Sequence, residues 1–297
     1  MKFGKVDDPG KIDFRFPEDH PDTSRVLSGT APADDLKIYV GCAKWNRQDL
    51  RNFYPKGTKN ELEYYARQFN AIELNATFYR NFPPLQFEKW YSTVPGGFKF
   101  FPKVNQNISH LKRLNNVEGA LEEYLDGVIH LKEKLGTMFL QMHNNFAPKD
   151  FGKLRHFIEI WPEELPLAVE LRHTRWFNDA AVAEKLYQLL EAHEMANIIT
   201  DTAGRRDLMH MRLTNNEAFI RFVGGNHESD YGRLDDWITR LKSWTDKGLR
   251  HIHFFVHEHL EKDSPLLSTY FIKKLNAVMG TGLKVPGLLD SGMGTLF

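Results

Sequence analysis

Cysteine is almost absent: Cys42 is the only one in 297 residues. One thiol cannot close an internal disulfide and lacks the partners of a cysteine-based zinc site. Within the apolar run Ile38-Tyr39-Val40-Gly41-Cys42 it reads as a small core residue. Net charge is absent too, because 39 Lys and Arg balance 39 Asp and Glu. Proteins that hold nucleic acid through its phosphates carry a basic excess, so nucleic acid is disfavoured as a partner. No stretch approaches the ~20 apolar residues that span a bilayer. The opening residues, Met1 to Asp8, are polar and unlike a signal peptide, so the expected compartment is the cytoplasm and no membrane partner is expected.

What the chain does have is alternation. Residues 1–35 are rich in Pro, Asp and Gly without helical or strand periodicity, and are expected to form an extended arm lying on a single domain, 36–297. Eight short apolar or alternating runs follow, at 37–42, 71–75, 98–103, 137–142, 167–172, 196–200, 218–223 and 251–256. Their length and their β-branched and aromatic content predict strands. Helical stripes separate them: Leu62, Tyr65, Ala66 and Phe69; Leu121, Leu125, Val128, Leu131 and Leu135, stopped by Gly136; Val182, Leu186, Leu189 and Leu190 after a cap at Asn178; Leu234, Trp237, Ile238, Leu241 and Trp244, ended by Gly248; and Leu267, Tyr270, Phe271 and Leu275 after Ser264-Pro265. Strand–helix alternation implies a parallel sheet with crossover helices. Eight strands predict a single (β/α)8 TIM-type barrel, irregular around the sixth unit, where 202–217 shows no long helix. A doubly wound open sheet is the alternative.

In such a barrel the functional face lies at the C-terminal strand ends, and residues two apart on a strand share a face. Polar residues stand at seven of the eight ends: Glu73 and Asn75, Lys103, Gln141 and His143, Glu170 and Arg172, Asp201, Arg221, and His257 with Glu258. Glu73, Glu170 and Lys103 are the catalytic candidates, either carboxylate serving as a base if burial raises its pKa. Asn75, Gln141, Arg172, Arg221, Asp201, His143 and His257 are the candidate ligand-binding residues. The carboxylates and arginines could equally neutralise one another in a network that only rigidifies the mouth. Phe78 and Tyr79 form a packing wall or a stacking surface.

Gly41-Cys42-Ala43-Lys44-Trp45, Phe53-Tyr54-Pro55, Glu73-Leu74-Asn75-Ala76-Thr77-Phe78-Tyr79, Phe139-Leu140-Gln141, Val169-Glu170-Leu171-Arg172-His173 and Arg221 together resemble the signature of the DUF72 (YecE-like) family across residues 37–277. The resemblance implies a TIM barrel and no settled activity. Two positions depart from the family pattern. Val223 stands where relatives carry a histidine, and Met142-His143 follows Gln141 where a proline is common. If that missing histidine is a general catalyst in relatives, His143 or His257 replaces it here, or the protein is inactive.

Three functions remain open. The first is a pocket at the barrel mouth for a small anionic or polyhydroxylated molecule, with Lys103, Arg172 and Arg221 holding phosphate or carboxylate; a hydrolase, isomerase or lyase is compatible with it, and neither metal nor other cofactor is expected. The second is metal-dependent sugar isomerisation or phosphodiester hydrolysis through Glu73, Glu170, Asp201 and His257, opposed by the cations crowding that mouth. The third is a nucleic-acid or protein-binding module using Lys149, Lys153 and Arg155, or Arg205, Arg206, His210 and Arg212.

Overall fold

The computed structural model describes residues 3–29 and 35–289. Nine strands, β1 (Lys37–Cys42), β2 (Ala71–Leu74), β3 (Lys99–Pro102), β4 (Met138–Gln141), β5 (Leu167–Glu170), β6 (Ala196–Asn197), β7 (Ile199–Thr202), β8 (Glu217–Gly224) and β9 (His251–Glu258), alternate with helices. The extra strand arises because the predicted sixth strand divides around Ile198. β6 pairs with β5 on one side of that residue and β7 with β8 on the other. All pairings are parallel, in sheets ordered β1-β9-β8-β7, β2-β3 and β4-β5-β6. The protein is thus a mixed α/β fold of parallel sheets, consistent with a TIM-like barrel.

Side chains and single bonds link the sheets where ladders stop. The Tyr65 hydroxyl accepts from Cys42 N at 2.7 Å and donates to Ala71 O at 3.0 Å. Asn70 accepts from Val40 N at 2.9 Å and donates to Ile38 O at 2.7 Å. β1 and β2 thereby exchange hydrogen bonds through two side chains. Gly41 lies so close to β2 that a Cβ there would stand 2.1 Å from Ala71 O. Between β3 and β4, Gly136 N donates to Phe100 O at 2.7 Å and Val104 N to Phe139 O at 2.9 Å.

Strands buried on both faces carry one set of side chains toward the helices and another toward the inside. The inside set forms its own cluster: Ala71, Phe101, Phe139, Ala168, Ala196, Ile198, Phe219 and Phe255. Phe101 meets Phe255 at 4.8 Å and Phe255 meets Phe219 at 5.3 Å between ring centroids. Two residues further along the respective strands stand Glu73, Lys103, Gln141, Glu170, Arg221 and His257. The period-2 geometry of a strand therefore seats a polar layer directly on an apolar floor.

The helices are α1 (Pro21–Ser28), α2 (Glu61–Gln68), α3 (Ala76–Tyr79), α4 (Pro84–Thr93), α5 (Glu118–Val128), α6 (Phe151–Glu159), α7 (Ala180–Ala192), α8 (Ser229–Asp246) and α9 (Ser264–Met279). Three differ from the sequence pattern. The α5 stripe does not continue to Leu135, because a 3-10 segment with Lys132 at φ 49° ends it. Asp179, not Asn178, caps α7, accepting from Ala181 N and Val182 N. The arm contains a helix, α1, started by a proline in its first turn and a His20 side-chain cap. It is held by Thr23, whose hydroxyl donates to Met211 O at 2.9 Å and accepts from Leu213 N at 3.2 Å. The irregular sixth unit is present as expected: a 3-10 segment, Ala203–Leu208, follows β7 in place of a long helix. No helix among the described residues is long and apolar enough to cross a membrane.

Candidate functional site

Arg221, on β8, is fully buried and organises the polar layer. Its Nε and Nη2 donate to the two oxygens of Glu73 at 2.9 and 2.8 Å, a bidentate fork. Its Nη1 donates to Glu170 Oε2 at 2.5 Å. The second Glu170 oxygen accepts from Arg172 Nε, also at 2.5 Å. Asn75 Nδ2 donates to Glu73 Oε1 at 2.8 Å. His257 Nε2 lies 2.9 Å from Glu73 Oε2 and 3.3 Å from Arg221 Nη2. The shorter contact to a carboxylate puts the proton on Nε2. His257 Nδ1, buried, has no partner among the described residues.

The electrostatics follow from this arrangement. Burial alone would raise both carboxyls. In Glu73, Arg221 and His257 outweigh burial and hold the group well below the usual range. In Glu170, Arg172 and Arg221 do the same and bring it to about 2. The expectation that burial lifts either carboxylate into the range of a general base is therefore reversed by the arginines.

Lys103 differs in kind. It is 7% exposed, donates to the neutral Gln141 Oε1 at 2.9 Å, and lies 4.0 Å from the Phe78 ring centroid. No carboxylate among the described residues stands within ion-pair distance of it. Burial first, then the like charges of Arg221 and Arg172, push its ammonium down to about 7. Arg172 is likewise incompletely used. Its Nε serves Glu170, but neither Nη donates to any described residue, although the side chain is 8% exposed.

Two predicted site residues lie elsewhere. Asp201 faces outward from β7, buried against α8, where it meets Arg233 Nη2 at 2.8 Å, Trp237 Nε1 at 2.8 Å, and Arg206. His143 is exposed and bonds Asn145 at 2.8 Å, with its ring edge-on to His110 at 5.5 Å. The metal reading needed Asp201 beside Glu73, Glu170 and His257, and the structure separates it from them. Among the described residues no group of three or more His, Cys, Asp or Glu is placed to hold a metal ion. Several of the basic residues offered for nucleic acid are internally paired: Arg205 with Asp207, Arg212 with Glu191, Lys153 with Asp150.

Two residues near these elements, His110 and Phe3, escaped sequence reasoning, whereas a third, Glu258, stands beside His257 at the end of the eighth predicted strand. His110, in a π-helical turn at Asn107–Leu111, packs on Phe78 at 4.8 Å. Burial and then Lys103 lower its imidazole to about 4. Phe3, in the arm, lies over Arg172 at 3.7 Å from ring centroid to Cζ. Glu258 is buried outside the polar layer beside Asp230 and Asp263, and desolvation followed by those carboxylates pushes it up to about 9. His110 and Phe3 carry no local signal, since one comes from a connection between strand and helix and the other from the arm, whereas the strand-end position of Glu258 was legible but its outward parity on β9 was not.

The whole of this constellation except Phe3 falls within residues 39–287, which match the family described as "Protein of unknown function DUF72". UPF0759 protein YecE of Escherichia coli K12 is 28% identical over 229 residues, covering 70% of this chain and 82% of that protein. UPF0759 protein YunF of Bacillus subtilis 168 is 24% identical over 205 residues, covering 64% and 71%. The fold is similar to crystal structures of DUF72 family proteins from Enterococcus faecalis V583 (TM-score 0.67, 17% identity, 84% of this chain and 100% of that one) and Thermotoga maritima MSB8 (TM-score 0.65, 22% identity, 81% and 99%). On the strength of the sequence match across 39–287, this chain belongs to the DUF72 family.

Proposed function

We propose that the three sheets close as one (β/α)8 barrel, with the arm lying on it, and that the polar layer at its mouth binds a small molecule bearing an oxyanion. Phosphate, sulfate or carboxylate on a polyhydroxylated body is the ligand class. One observation carries this reading: the mouth holds two carboxylates against three cations, and the donors in excess are those of Arg172 and Lys103. A buried cation with no carboxylate to pair it is costly, and a guanidinium edge beside an ammonium suits an oxyanion. Asn75 and Gln141 supply neutral polar edges for hydroxyl groups. With Glu73 and Glu170 locked in ion pairs, Lys103, lowered to about 7, is a group of this layer able to transfer a proton near neutrality.

Ligand that binds only the folded chain raises its melting temperature. Inorganic phosphate or a sugar phosphate is therefore expected to raise Tm in a concentration-dependent way. Lys103→Ala abolishes the rise, while Lys242→Ala, at a surface i,i+4 pair with Asp246, leaves it intact. Absence of any rise in the wild type, or an equal rise in Lys103→Ala, rejects the reading in favour of a structural network.

A further inference from the structure

The described residues ahead of the family-matched span follow a continuous course. Asp19 accepts from Trp244 Nε1 at 3.0 Å, near the C-terminal end of α8. Phe16 meets Trp237 edge-on at 4.8 Å, and Phe14 lies under Arg233 at 4.7 Å. Arg206 Nη2 donates to Phe14 O at 3.2 Å. The chain thus climbs α8 toward its N-terminus with alternate aromatic residues turned inward, as an extended segment does. It then passes the Gly224-Gly225-Asn226 loop, where Pro9 Cγ stands 3.1 Å from the place a Gly225 Cβ would take. The loop amides are already used, Gly225 N by Asp230 and Asn226 N by Glu258, so that loop offers no free phosphate cradle.

The segment ends across the mouth. Gly4 O accepts from Gly204 N at 2.8 Å and from the Thr202 hydroxyl at 3.3 Å. Gly4 has φ +69°, and a Cβ there would fall 2.0 Å from Thr202 Oγ1, so only glycine fits this latch. The latch sets the Phe3 ring on the face of the Arg172 guanidinium. A ring on the face leaves the in-plane Nη edges open, and these edges are the ones that bind an oxyanion.

We propose that the arm is part of the binding site: Phe3 roofs Arg172 through the Gly4 latch, and the strap closes over the oxyanion instead of competing with it. This rests on the oxyanion reading of the mouth. The ring screens the guanidinium from water, which strengthens its hold on an anion, and stacking on a cation adds to that. Closure and binding are then coupled, each favouring the other by the same factor.

Sulfate is the probe, in the full chain, with calorimetry for affinity and hydrogen exchange at the Gly204 amide for the latch. Sulfate is expected to slow exchange at Gly204. Phe3→Ala and Gly4→Val, both at the edge of the fold, are expected to weaken sulfate binding by about threefold to thirtyfold. Sulfate bound equally or more tightly by Phe3→Ala overturns the proposal. If the wild type binds no sulfate, the oxyanion reading fails by itself, and the strap is judged on Arg172→Met. Faster exchange at Gly204 in that variant keeps the roof contact, and unchanged exchange removes it.

Discussion

Two buried charge clusters lie on either side of β7 and β8, and they are built differently. On the outer face, Asp201 and Asp230 surround Arg233, whose Nη atoms donate to Asp230, the Asp201 carbonyl and Val223 O. Arg206 and the Trp237 indole complete the acceptors of Asp201. With Glu258 pushed up to about 9 and so protonated at neutrality, charges there balance, and of the Arg233 nitrogens only Nε lacks a partner. On the inner face, all three guanidinium nitrogens of Arg221 donate, yet the cluster does not close: Lys103 remains over, and Arg172 engages only its Nε. A buried cluster that balances is a clamp. One that leaves a desolvated cation unmatched costs stability, and such a cost is expected where a ligand supplies the missing charge.

The comparison can be broken at its shared part first. Arg221→Met leaves Glu73 and Glu170 buried with one cationic partner between them, and Arg233→Met does the same to Asp201 and Asp230. Each is expected to cost about 3–5 kcal/mol, read as a lower urea midpoint at unchanged m-value. A loss below about 1 kcal/mol for Arg221→Met would mean that the inner cluster is hydrated and not a clamp.

The unshared part is smaller and opposite in sign. The Lys103 ammonium is lowered from 10.5 to about 7. Below pH 7 the folded chain bears the full cost of a buried charge. Between pH 7 and 10.5 the unfolded chain holds a proton that the folded chain does not, so this residue makes stability rise with pH. Lys103→Met is expected to be about 2 kcal/mol more stable than wild type at pH 6, with the gap shrinking above pH 7 by up to about 1.4 kcal/mol per pH unit and changing sign before pH 10.5. Urea denaturation at several pH values measures it. A variant less stable than wild type at pH 6 would place Lys103 among the structural charges.

The positions of the polar layer were legible because each of its strand residues stands two places beyond an inward apolar residue, as Glu73 follows Ala71 and Arg221 follows Phe219. Asp201 carries the same strand-end signature but the opposite parity. Ala196 and Ile198 point inward, so Asp201 points out toward α8. In a strand apolar on both faces the sequence does not say which parity is inside. The division at Ile198 was invisible for the same reason, since both halves are apolar. Ionisation states were misjudged where they depend on partners 51 and 148 residues away, as Glu170 and Glu73 depend on Arg221. The arm's course was hidden because Phe3, Phe14 and Phe16 find their cations and rings only after α8 and the mouth are assembled.

The central claim, that the mouth keeps one buried cation for a ligand to neutralise, is tested most directly by NMR titration of the Lys103 side chain with and without sulfate. The account predicts a midpoint of about 7 in the free protein, moving upward as sulfate binds, because an anion beside the ammonium favours its charged form. A midpoint near the ordinary 10.5, unmoved by sulfate, would contradict it.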